Sequence, residues 1–233
     1  MADTDNVLTP AEAQAYYDRF GKKQDSQGFY EDPALDELIA HGDFANARSV
    51  FEFGCGTGKL AQRLLAGHLP AEARYLGCDI SPVMLDLTRQ RLAAYPRRAQ
   101  AALTDGTIEF PLKDQSVDRV VCCYVLDLLS QKDIHCFFTE ARRVLKPDGL
   151  LCLASLGKGS NRRSRLVASV WSALFRLNPA IVGGCRPMQL IAFADRENWQ
   201  ILHQAVVTPF GVPSEVLVLQ NKSSPHHPVA AVT

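Results

Sequence analysis

The sequence predicts an α/β protein: a seven-stranded sheet, mostly parallel, with helices on both faces and an antiparallel C-terminal hairpin. Three observations carry this. Short apolar runs alternate with amphipathic ones between about residues 48 and 156, the pattern of strands joined by crossover helices. The last two apolar runs are joined only through Gly211-Val212-Pro213, which is too short for a crossover and suits antiparallel neighbours. The 233 residues are 47% hydrophobic and 21% charged, enough for one full core and incompatible with wholesale disorder.

Taken in order, residues 10–20 read as a helix with Thr9 as N-cap and Pro10 in its first position. Residues 33–42 read as a second helix, after a polar stretch that carries Phe29 and Tyr30. Residues 49–58 (SVFEFGCGTG) are a short strand entering a glycine turn, and residues 59–68 an amphipathic helix ending near Gly67. Residues 73–81 are the second strand, and residues 82–95 a helix with Ser81 as cap and Pro82 at its start. Residues 99–106 are the third strand, and residues 116–129 a very apolar fourth strand running into a loop. Residues 132–145 form a helix stopped by Pro147, and residues 149–156 the fifth strand. Residues 198–210 and 214–221 supply the hairpin, and residues 223–233 read as a disordered tail. No internal repeat is visible.

Charge and cysteine usage narrow the function. Lys+Arg and Asp+Glu are each 25, so a nucleic-acid binder working by bulk charge is not expected. The balance hides an asymmetry: from Gly149 to Ala194 there is no acid, while Lys158, Arg162, Arg163, Arg165, Arg176 and Arg186 all fall there. Such a stretch points to an anionic partner or to a solvated basic turn. The seven cysteines include no Cys-x-x-Cys pair, and there is no His-Glu-x-x-His, so reduced core thiols are expected and no metal site. The first residues have neither a cationic start nor an apolar stretch, and no run approaches membrane-spanning length, so a cytoplasmic location is expected.

The chemistry concentrates in Glu52-Phe53-Gly54-Cys55-Gly56-Thr57-Gly58, after a strand and opening a helix. Glycines there let a ligand approach the backbone, and helix N–H groups point at it. The spacing is G-x-G-x-G, not the G-x-G-x-x-G of dinucleotide folds, which argues against an NAD(P)-dependent oxidoreductase. Alone, the turn could also be a tight bend without a ligand, the less favoured reading. Asp79, ending the second strand, stands where an acid accepts hydrogen bonds from a ribose diol. Asp105-Gly106 ends the third strand.

With EFGCGTG, LGCDIS, the DG-x₃-FPLKDQSVDRVV segment and RRVLKPDGLL, the chain from about residue 48 to 156 resembles the class I S-adenosylmethionine-dependent methyltransferases. It is most similar to the small-molecule branch that includes the ubiquinone/menaquinone-biosynthesis methyltransferases. The resemblance implies a Rossmann-like sheet, S-adenosylmethionine as cofactor, and methyl transfer to a small or amphipathic, anionic or lipid-like acceptor. It implies that Gly54, Cys55, Gly56 and Gly58 line the methionine part, with Glu52 orienting the loop. Asp79 would take the ribose hydroxyls, Ile80 and Met84 the adenine, and Asp105 and Gly106 the adenine edge. The Cys122 or Cys123 carbonyl would face the methionine end. Helix packing is an equal reading for Met84, and core burial is the favoured reading for at least one of the Cys122 and Cys123 side chains.

The resemblance also implies a division into an N-terminal helical lid (residues 1–46), the methyltransferase domain (47–222) and an acceptor-site insert at about 157–195. Tyr17 and Tyr30, with Tyr16 and Phe20, offer aromatic faces to a sulfonium cation or packing surface to the sheet. Lys22-Lys23-Gln24-Asp25 has no assignment. Tyr30 and, in the insert, Arg162, Arg163 and Trp171 are the candidate acceptor contacts, the insert lying beside a surface able to meet an anionic membrane. Asp127 is the candidate base, and His135 reads as a surface or packing residue. A non-catalytic S-adenosylmethionine-binding module or regulatory partner remains the alternative. Nucleic acid is not expected as a partner, since Asn-Pro-Pro-Tyr and Asp-Pro-Pro-Tyr base-flipping motifs are absent. The oligomeric state is not encoded in any of these features.

Overall fold

The computed structural model describes residues 7–222, so the tail expected at 223–233 lies outside the described residues. The strands are β1 (Ser49–Phe53), β2 (Arg74–Asp79), β3 (Ala99–Leu103), β4 (Val117–Cys123), β5 (Leu145–Leu156), β6 (Trp199–Val207) and β7 (Ser214–Asn221). They form one sheet of order β3-β2-β1-β4-β5-β7-β6. The first five run parallel, and β7 pairs antiparallel with both β5 and β6.

Period-two alternation sorts the central strands into two cores. Val120, Cys122, Leu151, Leu153, Leu217 and Leu219 face one side, against Ile134, Phe137, Phe138 and Ala141 of helix α5 (Gln131–Val144). Val121, Cys152, Ala154, Val216 and Val218 face the other. There they meet Leu35 and Leu38 of α2 (Gly28–His41) and Leu60 and Leu64 of α3 (Lys59–Gly67). Helix α4 (Pro82–Leu92) starts at the Ser81 cap, whose hydroxyl accepts from the Met84 N–H at 3.1 Å.

Helix α1 (Pro10–Phe20) has the expected start, with Thr9 and Glu12 closing a reciprocal capping box. The second helix begins earlier than the sequence suggests, at Gly28, with Pro33 inside it. Burial of Tyr30, Glu31, Ala34 and Leu35 favours the extra turn over the local cost of the proline. α5 passes directly into β5 at Leu145, and Lys146-Pro147-Asp148-Gly149 forms an irregularity in that strand, with Asp148 at φ +62°. Pro147 holds Lys146 out of the helical region, which is why the helix stops just before it. The insert after β5 contains helix α6 (Arg162–Leu177), capped by Asn161, whose side chain accepts from the Ser164 N–H at 3.0 Å.

Candidate active site

The carboxyl ends of β1, β2 and β4 open onto one cavity, at the point where the sheet order reverses between β1 and β4. Its volume is about 210 Å³, and its lining is mostly apolar. The turn after β1 builds one wall. The Gly54 and Cys55 N–H groups both donate to the Cys78 carbonyl at 2.9 Å, which binds the turn to β2. Gly54 sits at φ +76°, and a Cβ there would lie 2.2 Å from Val125 Cγ2, so only glycine fits. At Gly56, φ +54°, a Cβ would meet nothing within 4 Å: the backbone faces open cavity.

Asp79 is the hinge pin of this wall. One carboxylate oxygen accepts from the Gly56 N–H at 2.8 Å and the other from the Ser81 N–H at 2.9 Å. Burial raises its pKa, while the Ser81, Gly56 and Ile80 N–H groups oppose the rise. Each oxygen keeps a lone pair for a further donor. Glu52 is 2% exposed and accepts from Tyr75 Oη at 2.6 Å. Its burial lifts the carboxyl to about 8, with the Tyr75 bond pulling down and Asp79 pushing up.

The other end of the cavity is a cluster that sequence patterning did not single out as a unit. Asp127 is fully buried, and neither carboxylate oxygen has a hydrogen bond in good geometry. Burial raises its pKa to about 6, against the pull of nearby backbone and of Arg186. Glu31 is buried too and raised to about 8 by burial, with Lys59 and the Tyr30 hydroxyl opposing. Gln24 Nε2 donates to Glu31 at 3.1 Å. Tyr30 meets Tyr124 edge to face at 5.8 Å between ring centroids, and Tyr124 Oη donates to Ser214 Oγ at 2.8 Å. Tyr124 has φ +57°, a strained conformation for an aromatic residue directly after a strand. Trp171 Nε1 donates to the Cys185 carbonyl at 3.0 Å, and Tyr17 Oη reaches the Gly183 carbonyl at 3.4 Å.

The N-terminal segment covers the cavity. Val7, Leu8, Pro10, Ala13 and Tyr17 line it from above the sheet ends. Asp25, which the sequence left unassigned, pairs with Arg91 of α4 and accepts from Thr57 Oγ1 at 2.8 Å. Lys59 Nζ reaches Asp32 at 2.7 Å, and Ser81 Oγ donates to Asp18 at 2.5 Å.

Of the residues singled out from the sequence, Glu52, Gly54, Cys55, Gly56, Asp79, Ile80, Met84, Gly106, Tyr17, Tyr30, Asp127 and Trp171 line this cavity. Five do not. Gly58 packs its backbone against Thr88 of α4 at the start of α3. Cys122 is buried in the core beneath α5, and Cys123 lines the cavity instead. The Asp105 carboxylate turns outward to accept from the Thr107 N–H at 2.9 Å and its hydroxyl at 2.7 Å, bonds that lower its pKa. Arg162 and Arg163 stand exposed at the start of α6, where Arg163 leans on Gly211. Among the cavity residues missed were Glu31, Tyr124 and Cys185. An aromatic residue placed directly after β4 was the one local signal available for any of them.

One cluster outside the cavity could offer three metal ligands: Glu37, His41 and His203, with ligand atoms within 4.8 Å of one another. The two imidazoles lie stacked at 3.6 Å and 6° between planes, so their in-plane lone pairs run side by side and do not converge on one ion.

The sheet order, the glycine turn and the acid after β2 define a nucleotide-type cofactor site in a Rossmann-like fold. Residues 50–149 match a family described as a methyltransferase domain. That stretch, less than half of the chain, is similar to a methyltransferase domain, and the match and the fold imply S-adenosylmethionine as the cofactor. Among its relatives, the ubiquinone/menaquinone biosynthesis C-methyltransferase UbiE of Acidiphilium cryptum is 31% identical over 172 residues, 73% of this chain and 63% of that protein. The tRNA N(3)-methylcytidine methyltransferase Mettl2 of Drosophila melanogaster is 29% identical over 133 residues, 56% of this chain and 41% of that protein. The chain thus spans less than two thirds of either relative. An O-methyltransferase family protein from Burkholderia thailandensis has the same fold, with a TM-score of 0.65, 19% identity, and coverage of 84% of this chain and 57% of that one. A relative named for tRNA leaves the expected exclusion of nucleic acid without support.

Proposed function

We propose that this chain transfers a methyl group from S-adenosylmethionine to a small or amphipathic acceptor held in the cavity, beneath the N-terminal segment acting as a lid. The observation that carries this reading is the cavity itself. It runs from the glycine turn and Asp79 to a buried carboxylate, Asp127, whose oxygens make no well-formed hydrogen bond among the described residues. When bound, S-adenosylmethionine supplies an already activated methyl group. The protein's work is then to align the acceptor and exclude water. Gly56 and Asp79 are placed to hold the methionine and ribose parts. Tyr17, Tyr30, Tyr124 and Trp171 dry and shape the acceptor end. Asp127 accepts the acceptor's proton where the nucleophile arrives protonated.

The acidic lining refines the acceptor. Asp127, ionised above about pH 6, disfavours an anionic reacting group at that end, while Glu31, raised to about 8, is mostly protonated at neutral pH; contacts of Arg162 and Arg163 with anions then belong outside the cavity. A tRNA acceptor is the second reading, favoured by the relative named for that activity. A base would have to enter flipped out of its strand. Incubating the protein with methyl-labelled S-adenosylmethionine and a fractionated host extract separates the readings. Label in an organic-extractable small molecule is expected. Label in the tRNA fraction would overturn the small-acceptor reading, and none anywhere, with S-adenosylhomocysteine still bound, would indicate a non-catalytic binding module.

The lid carries a prediction of its own. Asp25 joins the N-terminal segment to both Thr57 of the glycine turn and Arg91 of α4. Asp25→Ala is expected to weaken S-adenosylhomocysteine binding about five- to tenfold, the scale of partly exposed charge-assisted bonds. Limited proteolysis should then cut the first thirty residues faster while the sheet melts cooperatively as before. Unchanged affinity and unchanged cleavage would remove the lid from the account.

A further inference from the structure

Helix α6 has two apolar faces, and among the described residues only one of them is packed against the rest of the fold. Ala168 and Phe175 are buried and Trp171 lines the cavity. On another side Leu166, Val170, Leu174 and Leu177 are 66%, 53%, 36% and 78% exposed, and Ile181 just beyond is 58% exposed. At about 100° per residue, the four helical side chains form one stripe roughly 80° wide, turned about 135° from the cavity face. Arg162, Arg165 and Arg176 follow one another along the flank between the two faces. No Asp or Glu occurs from residue 149 to 194. Arg162, Arg163 and Arg165 form no ion pair among the described residues; Arg165 donates to the Ser160 carbonyl at 3.0 Å.

The tip of the β6–β7 connection extends this surface. Phe210 is 74% exposed and held at φ +52°, in the left-handed region that a bulky side chain avoids. Its ring meets that of Phe29, itself 53% exposed, at 5.8 Å between centroids. The tip abuts the start of α6, where Asn161 Nδ2 donates to Thr208 Oγ1 at 3.4 Å and Arg163 lies against Gly211.

We propose that α6, with Phe210 beside it, is an interfacial helix that docks the protein on an anionic lipid bilayer. The charge sign selects an anionic occupant, and the side-chain types select lipid. A contiguous Leu/Val/Ile stripe suits acyl chains, whereas single-stranded nucleic acid needs stacking rings along the basic track, and the exposed stripe of α6 holds none. A second copy packed on the same stripe would bring two arginine flanks together. The inference stands apart from the methyl-transfer reading, since lipid binding is read without turnover.

Flotation of the full chain with vesicles tests it, using phosphatidylcholine alone and an equal mixture with phosphatidylglycerol. The wild type is expected to float with the anionic vesicles, and less so as salt rises toward conditions where the Debye length shortens to about 3 Å. Each arginine near such a surface contributes roughly fivefold in partitioning, so Arg162→Glu/Arg163→Glu/Arg165→Glu should lower it at least about a hundredfold. Leu166→Ser/Val170→Ser/Leu177→Ser should also lose stable binding while keeping S-adenosylhomocysteine affinity, which reports an intact sheet. Equal flotation with neutral vesicles, or none with either, would overturn the proposal. So would a dimer in light scattering that the apolar variant abolishes, or tRNA binding that the arginine variant abolishes without any vesicle binding by the wild type.

Discussion

Asp79→Ala is expected to weaken S-adenosylhomocysteine binding by about 10²- to 10⁴-fold, because two charge-assisted hydrogen bonds of about 1.5–3 kcal/mol each are removed from the ligand. The carboxylate has a double task. It already fixes the Gly56 and Ser81 N–H groups at 2.8 and 2.9 Å, so its loss also loosens the turn that cradles the methionine part. Titration calorimetry on wild type and variant measures the change, and circular dichroism checks that the variant is folded. The sheet should survive, since Asp79 contributes no side chain to either core cluster. Unchanged affinity would remove Asp79 from the cofactor site.

Asp127→Asn should leave S-adenosylhomocysteine affinity within about threefold and lower kcat by about 10²- to 10⁴-fold, the usual range for a general base. The substitution is nearly isosteric and removes a buried charge, so the fold should not suffer. The pH dependence follows from the sign of the shift. Burial raises the Asp127 carboxyl to about 6, and a base acts only when ionised, so activity should fall as pH drops through about 6. In Asp127→Asn the residual activity should lack that acid limb. A variant with normal kcat and an unaltered profile would show that the acceptor needs no base here.

The fold was legible because each core strand carries its own instruction. In β4, β5 and β7 the alternation of side chains sorts neighbouring residues to opposite cores, and each crossover helix shows its apolar stripe locally. The glycine turn and Asp79 were legible for the same reason: strand, turn and helix are contiguous in sequence. The acceptor end was not legible as a unit, because Glu31, the segment carrying Tyr124 and Asp127, and Cys185 come from three separate parts of the chain that only the fold brings together. The Asp25–Arg91 link joins residues 66 apart and leaves no local trace. Arg162 and Arg163 show the converse. Their clustering is plain in sequence, yet the phase of α6, set by burial of Ala168 and Phe175, turns them away from the cavity. Asp105 had two local options, a ligand contact or an Asx turn, and the Thr107 that follows it supplies both donors for the turn.

The central claim is that one cavity holds the cofactor with its reactive end toward Asp127. A crystal structure of the full chain with S-adenosylhomocysteine tests it most directly. The ribose hydroxyls should lie on Asp79, the adenine against Ile80, Met84 and Gly106, and the sulfur toward Tyr124 and Asp127. Adenosine bound at the Asp127 end with the sulfur turned away, or the ligand bound outside this cavity, would contradict the account.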